Sequence, residues 1–285
     1  MRPVPRPAVA LSLVVVLLAA TASLATLVWG GSFPDPSPAP LVNRVLAEAR
    51  GWSAATLLVA TPLAILSLRA ASGGSLRGRL IWNGTLAYFL YTYLEFAVSP
   101  PFTALYLVYV AAFACAIPPL VMGIASIDLI ELQEACGARV PRRATAVFCL
   151  AFAALLALAW LKDIIGRSVA GAFGWPTGAD AVGHVVHALD LGLQVPLAIA
   201  AGVLLLRRHP AGDLVGAIML VNGTCMGAAL TAMAAWSSAA SGARAWRAWP
   251  FGAAWAVAIA FAIAFFRPGS GVVAPARSRR VEGEP

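Results

Sequence analysis

The chain has 285 residues, 61% of them hydrophobic and 11% charged, with a mean hydropathy of +0.84. A soluble domain carries about 25% charged residues, and a chain this apolar cannot cover its own surface with polar groups, so the composition excludes an ordinary soluble protein and makes the bilayer the solvent. The formal charge of +8 does not point to nucleic acid, because the basic residues lie between apolar runs rather than on one face or in one domain.

Residues 1–7 carry Arg2 and Arg6 and lead into an apolar run over 8–29, long enough for a membrane helix. Ala20-Thr21-Ala22 resembles a signal-peptide cleavage site, but the run continues past it, so an uncleaved helix is expected. A Pro- and Ser-rich loop over 30–40 follows. Further spans are expected over 53–71, with Pro62 inside, over 80–98, and over 103–125, interrupted by Pro118-Pro119. The connection 126–143 is charged, and its first half suits a short interfacial helix ending at Gly137. Spans over 144–161, 183–206, 214–236 and 251–266 complete the set. A polar loop is expected over 162–182 and another over 237–250. The fold class is therefore all-α, a polytopic bundle of eight transmembrane helices in one domain over 1–266, with a disordered cytoplasmic tail over 267–285.

Eight spans put both termini on one side. If that side is the cytoplasm, it holds 14 of the 20 Lys and Arg, and the basic bias then places both termini inside the bacterial inner membrane. All tryptophans but Trp82 fall near the outer boundary in this arrangement. The four cysteines form no CxxC pair, so neither a disulfide framework nor a zinc site follows.

Short anchors recur in one order. Pro62-Leu63-Ala64-Ile65 returns as Pro196-Leu197-Ala198-Ile199, Asn83-Gly84-Thr85 as Asn222-Gly223-Thr224, and Pro101-Phe102 as Pro250-Phe251, at offsets of 134, 139 and 149 residues. Such a pattern suggests two four-helix repeats, over 1–126 and 140–266. Four is even, so the copies share one orientation and are related by an axis along the membrane normal.

Ionisable side chains deep in a span cost about 2.5–3.5 kcal/mol on insertion scales and need a reason to be there. Tyr88, Tyr91, Thr92 and Glu95 share one helical face of the third span. His184, His187 and Asp190 open the sixth, with Gln194 between His187 and Asp190 in angle. The histidines suit proton sharing or metal binding by type. A metal site needs more ligands than are in sight, and the plainer alternative is an interfacial His184 with a His187–Asp190 hydrogen bond. Glu95 equally fits a carboxyl bonded to a tyrosine or one reaching towards the interface. A buried lone carboxylate is neutralised or finds a partner, and a polar cavity at the outer end, lined by spans three and six, is expected near Tyr88, Tyr91 and His187. Among the in-span prolines, Pro118-Pro119 is the leading candidate for a functional break. The chain carries no P-loop, Rossmann glycine pattern, HExxH or GxSxG.

The segments 84–93, 102–110 and 189–197 resemble those of multi-pass membrane proteins of bacteria, actinobacteria above all, a group with no assigned activity. The resemblance covers roughly spans two to seven and implies membrane location and no residue roles. Three functions stay open: a small-solute or proton-coupled transporter, a membrane-embedded enzyme with an outer-leaflet His/Asp/Glu site, and a non-catalytic subunit or scaffold. The expected partners are the lipid bilayer and a small solute or proton. No cofactor or metal and no nucleic acid is implied.

Overall fold

The computed structural model describes residues 3–29, 39–99, 102–137, 140–171, 179–242 and 248–267. Most of the expected loop over 30–40 and all of the tail beyond 267 lie outside them, as do parts of the connections over 126–143, 162–182 and 237–250. Every regular element among the described residues is helical.

The elements are α1 (Arg6–Val28), α2 (Ala39–Ala55), a π-turn (Thr56–Ala60), α3 (Thr61–Ser72), α4 (Leu76–Val98), α5 (Tyr106–Ala125), α6 (Leu129–Cys136), α7 (Arg142–Val169), α8 (Ala179–Leu189), a second π-turn (Asp190–Gln194), α9 (Val195–Leu206), α10 (Pro210–Ala240) and α11 (Trp249–Phe265). Six helical stretches are long and apolar enough to cross a bilayer: Arg6–Val28, Arg44–Ser72, Tyr106–Ala125, Arg142–Val169, Gly183–Leu206 and Pro210–Ala240. The other two expected spans fall short for different reasons. α11 is apolar but only 17 residues long. α4 has 23 residues, but Asn83, Thr85, its tyrosines and Glu95 dilute its apolar character. That dilution follows its position. Trp82, Asn83, Thr85, Tyr88 and Phe89 are all buried, so α4 is surrounded by protein rather than lipid.

The helices run alternately between two ends. One end gathers Ala8, Leu68, Ala71 and Trp82 in one apolar cluster, and Leu76, Ile127, Leu214 and Phe265 in another. The other brings together Thr26, Arg44, Ser99, Thr103, Gly183 and Met233. α10 is the hub, packing on α2, α4, α9 and α11. Lipid offers no hydrophobic force between helices, so close approach through small residues carries the packing. A Cβ at Gly51 of α2 would overlap the α10 backbone at Ala232 and Met233. One at Gly84 of α4 would overlap Val221 of α10.

Four sequence expectations need correction. α2 starts before residue 53, because Arg44 and Glu48 pair at 2.9 Å one turn apart and carry the helix outward. α7 runs to Val169 instead of yielding to a loop at 162, for the same reason: Asp163 and Arg167 pair at 3.2 Å. α4 begins at Leu76, capped by the Ser75 hydroxyl, which accepts from the Gly78 N–H. Pro118-Pro119 breaks nothing, since α5 continues through both while packed on α1 and α4. The backbone departs from α geometry at Pro62 and Pro196 instead. A proline ring clashes with the carbonyl four residues back, and each of these prolines follows a π-turn in which the carbonyl of Thr56 or Asp190 is reached from five residues on, by the N–H of Thr61 or Val195.

At the end that holds Leu76 and Phe265, α6 is capped by Asp128, which accepts from the N–H groups of Ile130 and Glu131, and is closed by Gly137 at φ +54°. Arg142 locks this end. Its Nε and Nη2 donate to the two oxygens of Asp213 at 2.8 Å each, and Nη1 donates to the Gly137 carbonyl. Asp213 is 1% exposed. Removing one member of a buried pair strands the other, at a cost of about 3–5 kcal/mol. Arg142→Met is therefore expected to lose about that much stability in detergent unfolding, and the added change Asp213→Asn to restore part of it. An Arg142→Met protein as stable as the wild type would show that the pair holds nothing together.

Candidate functional site

The end opposite Arg142 contains a cavity of about 370 Å³. Its walls come from α1, α2, α4, α5, α7, α8 and α10. Trp52, Phe96, Tyr109 and Trp160 line it with rings, and Glu48, Glu95, Arg44 and His187 bring charge or potential charge. The helix-extending pair Arg44–Glu48 sits on this rim, so the same salt bridge that lengthens α2 supplies one wall.

Glu95 reaches the cavity from the last turn of α4 and is 9% exposed. Among the described residues it has no hydrogen-bond or ion-pair partner, although it lies within electrostatic range of Asp190. Other polar groups on the walls are also unmatched. The Trp52 indole N–H, the Ser99 hydroxyl and the Thr103 hydroxyl are buried atoms with no partner, and Trp52 and Thr103 as whole residues are each 6% exposed. A buried polar group left without a bond costs about 1–3 kcal/mol, and these three atoms are closed off from the cavity by their neighbours.

Asp190 lies behind the wall with one donor on each oxygen. Tyr91 Oη of α4 donates to its Oδ1 at 2.5 Å, and Trp160 Nε1 of α7 donates to its Oδ2 at 2.8 Å. His187 packs against the Trp160 ring, with centroids 4.4 Å apart, and its Nε2 is 3.7 Å from Asp163 Oδ2. Trp160 therefore serves two purposes. Its N–H holds the buried carboxylate, and its ring borders the cavity.

The expected residues divide three ways. Glu95 and His187 line the cavity, and Tyr91 and Asp190 form its backing. Tyr88 and Gln194 belong to helix clamps away from it: Tyr88 Oη bonds Thr56 Oγ1 at 2.6 Å, and Gln194 Oε1 accepts from Asn222 Nδ2 at 3.2 Å. His184 is exposed and takes no part in lining the cavity. The expected His187–Asp190 hydrogen bond does not form: Asp190 takes Tyr91 and Trp160, while His187 packs on the Trp160 ring with its Nε2 towards Asp163. Trp160, Asp163, Glu48 and Trp52 escaped the sequence reading. One signal was there: Trp160, Asp163 and Arg167 follow one another at spacings of three and four, as on a single helical face.

Each π-turn presents its first residue to a tyrosine of α4: Thr56 to Tyr88, and Asp190 to Tyr91. α4 is thus gripped at two successive turns by two different spans. Among the described residues no three His, Cys, Asp or Glu side chains converge as metal ligands would. No family model matches the chain, and neither does any curated protein or solved structure, so the geometry of the site stands on its own.

Asparagine at 190 keeps an acceptor for Trp160 and lets the Tyr91 hydroxyl turn to accept, whereas leucine orphans both donors. Asp190→Leu should therefore lower stability by about 1–3 kcal/mol per orphaned donor, and Asp190→Asn by clearly less, as read by thermal unfolding in detergent. Equal losses in the two variants would mean that charge, not donor satisfaction, decides the site.

Proposed function

We propose that the chain is an eight-span membrane protein built of two parallel four-helix repeats, and that it moves a small solute across the bilayer by way of the cavity around Glu95. The observation that carries the reading is a buried carboxylate without a partner among the described residues, set on a cavity at one end of a helical bundle. Intramembrane ionisable groups of this kind mark substrate or ion pathways by default.

The repeat draws support from the two π-turns. They start at Thr56 and Asp190, at the offset of 134 residues that also relates Pro62 to Pro196. Neighbour relations recur as well. α3 packs on α4 as α9 does on α10, and α4 packs on α5 as α10 does on α11. Parallel repeats about an axis along the membrane normal are one of the layouts of secondary transporters, with binding sites at the repeat interface. The Tyr91–Asp190 bond and the cavity lie where α4 of the first half meets α8 of the second. Bent spans two and six, each with a proline behind a π-turn, give the bundle points at which to flex. The basic bias of the loops favours both termini in the cytoplasm, with the cavity then opening to the outside of the inner membrane.

Purified protein reconstituted into liposomes tests the reading directly. Panels of small cationic, neutral and anionic solutes would be followed for uptake, with a trapped pH-sensitive dye reporting coupled proton movement. At least one class is expected to enter faster than into empty liposomes, and Glu95→Gln to remove that flux with thermal stability near the wild-type value. Uptake no faster than in protein-free liposomes for every class, or flux untouched by Glu95→Gln, would count against the transport reading.

A further inference from the structure

We propose that the cavity takes a small organic ammonium ion, with the charged nitrogen on Glu95 and the apolar body between the rings of Trp52, Phe96, Tyr109 and Trp160. The proposal rests on the transport reading for making that ion cargo, and on the geometry of the cavity alone for making it a ligand.

Charge bookkeeping around the cavity leaves one group over. Arg44 is committed to Glu48 at 2.9 Å. Asp163, behind His187, is committed to Arg167 at 3.2 Å. Asp190 is held by two neutral donors and offers Glu95 no counter-charge. Glu95 has no counter-ion among the described residues while being 9% exposed. An isolated buried charge costs several kcal/mol, and either a proton on the carboxyl or a cation that enters the cavity removes that cost.

The walls decide what kind of cation. Four aromatic residues border the space. Ring faces attract a cation within about 6 Å, by about 0.5–2 kcal/mol each according to how far it is desolvated. They also shed water from an apolar body, which they cannot do for a hydrated metal ion. The volume of about 370 Å³ falls within the ~300–1,000 Å³ range of small-molecule sites. The ligand class is thus an amine with an apolar or aromatic body. An anion would meet Glu95, Glu48 and the field of Asp190.

Calorimetric titration of the full-length protein in detergent tests this with three probes that share one ring: benzylamine, benzyl alcohol and benzoate. Benzylamine is expected to bind about tenfold or more tightly than the alcohol, with benzoate the weakest. Glu95→Gln should lose about tenfold or more in benzylamine affinity while leaving the alcohol unchanged, and Glu95→Asp should keep part of it. If Glu95→Gln fails to fold, the ranking of the probes on the wild type decides alone. Benzoate or the alcohol binding as tightly as benzylamine overturns the proposal, and so does the absence of binding by every amine at millimolar concentration. Amine binding without flux in liposomes upholds the ligand class and sinks the transport reading. Uptake of anions without amine binding does the reverse.

Discussion

A carboxylate taken out of water has to be met by donors, and the way Asp190 is met sets much of the bundle. Its two oxygens draw one donor from α4 and one from α7, so a single side chain ties three spans together. α7 needs the tie. Leu155, Leu158 and Ile165 are exposed along its outer side, so the helix meets lipid over most of its surface and protein along a narrow stripe. With the Trp160 N–H committed to Asp190, the indole is fixed as a wall of the cavity. His187 then settles against that ring rather than on Asp190. Asp190 thus leaves Glu95 as the one carboxylate at this end without a partner among the described residues.

Two spans depart from α geometry in the same way. In each, a π-turn precedes a proline, and the first residue of the turn bonds a tyrosine of α4. In one the contact is neutral, Thr56 with Tyr88; in the other it is ionisable, Asp190 with Tyr91. α1 packs broadly on α5, while α7 meets α11 through Phe148 and Phe261, 4.6 Å between ring centroids.

Much of the architecture was legible because a bilayer demands long apolar helices, and these stand out in a single sequence. Their ends were not, because Arg44–Glu48 and Asp163–Arg167 support helix beyond the apolar run, where composition alone reads loop. α4 shows the limit from the other side. A span surrounded by protein can be polar, so apolarity understates it. Glu95 and Asp190 stood out as charges inside spans. Of the partners of Asp190, Tyr91 was expected at the shared cavity, but Trp160 was not, since it comes from a third helix and helical periodicity says nothing about which helices touch. A π-turn has no compositional mark either. Pro118-Pro119, the more conspicuous break in the sequence, lies in a helix that packing keeps continuous, whereas the single prolines at 62 and 196 mark the real departures.

The central claim is that Glu95 faces a space open to water at the end of the bundle away from Arg142. The most direct measurement places one cysteine at Val186, a half-buried residue of the cavity wall, in a protein with Cys115, Cys136, Cys149 and Cys225 replaced. A second protein carries its cysteine at exposed Ser72, at the other end. Both are treated with a membrane-impermeant maleimide in vesicles of known orientation. The account predicts that the Val186 position reacts from the side opposite to the one that labels Ser72, and is protected by benzylamine. Labelling of both positions from one side, or no reaction at Val186 until detergent is added, would contradict it.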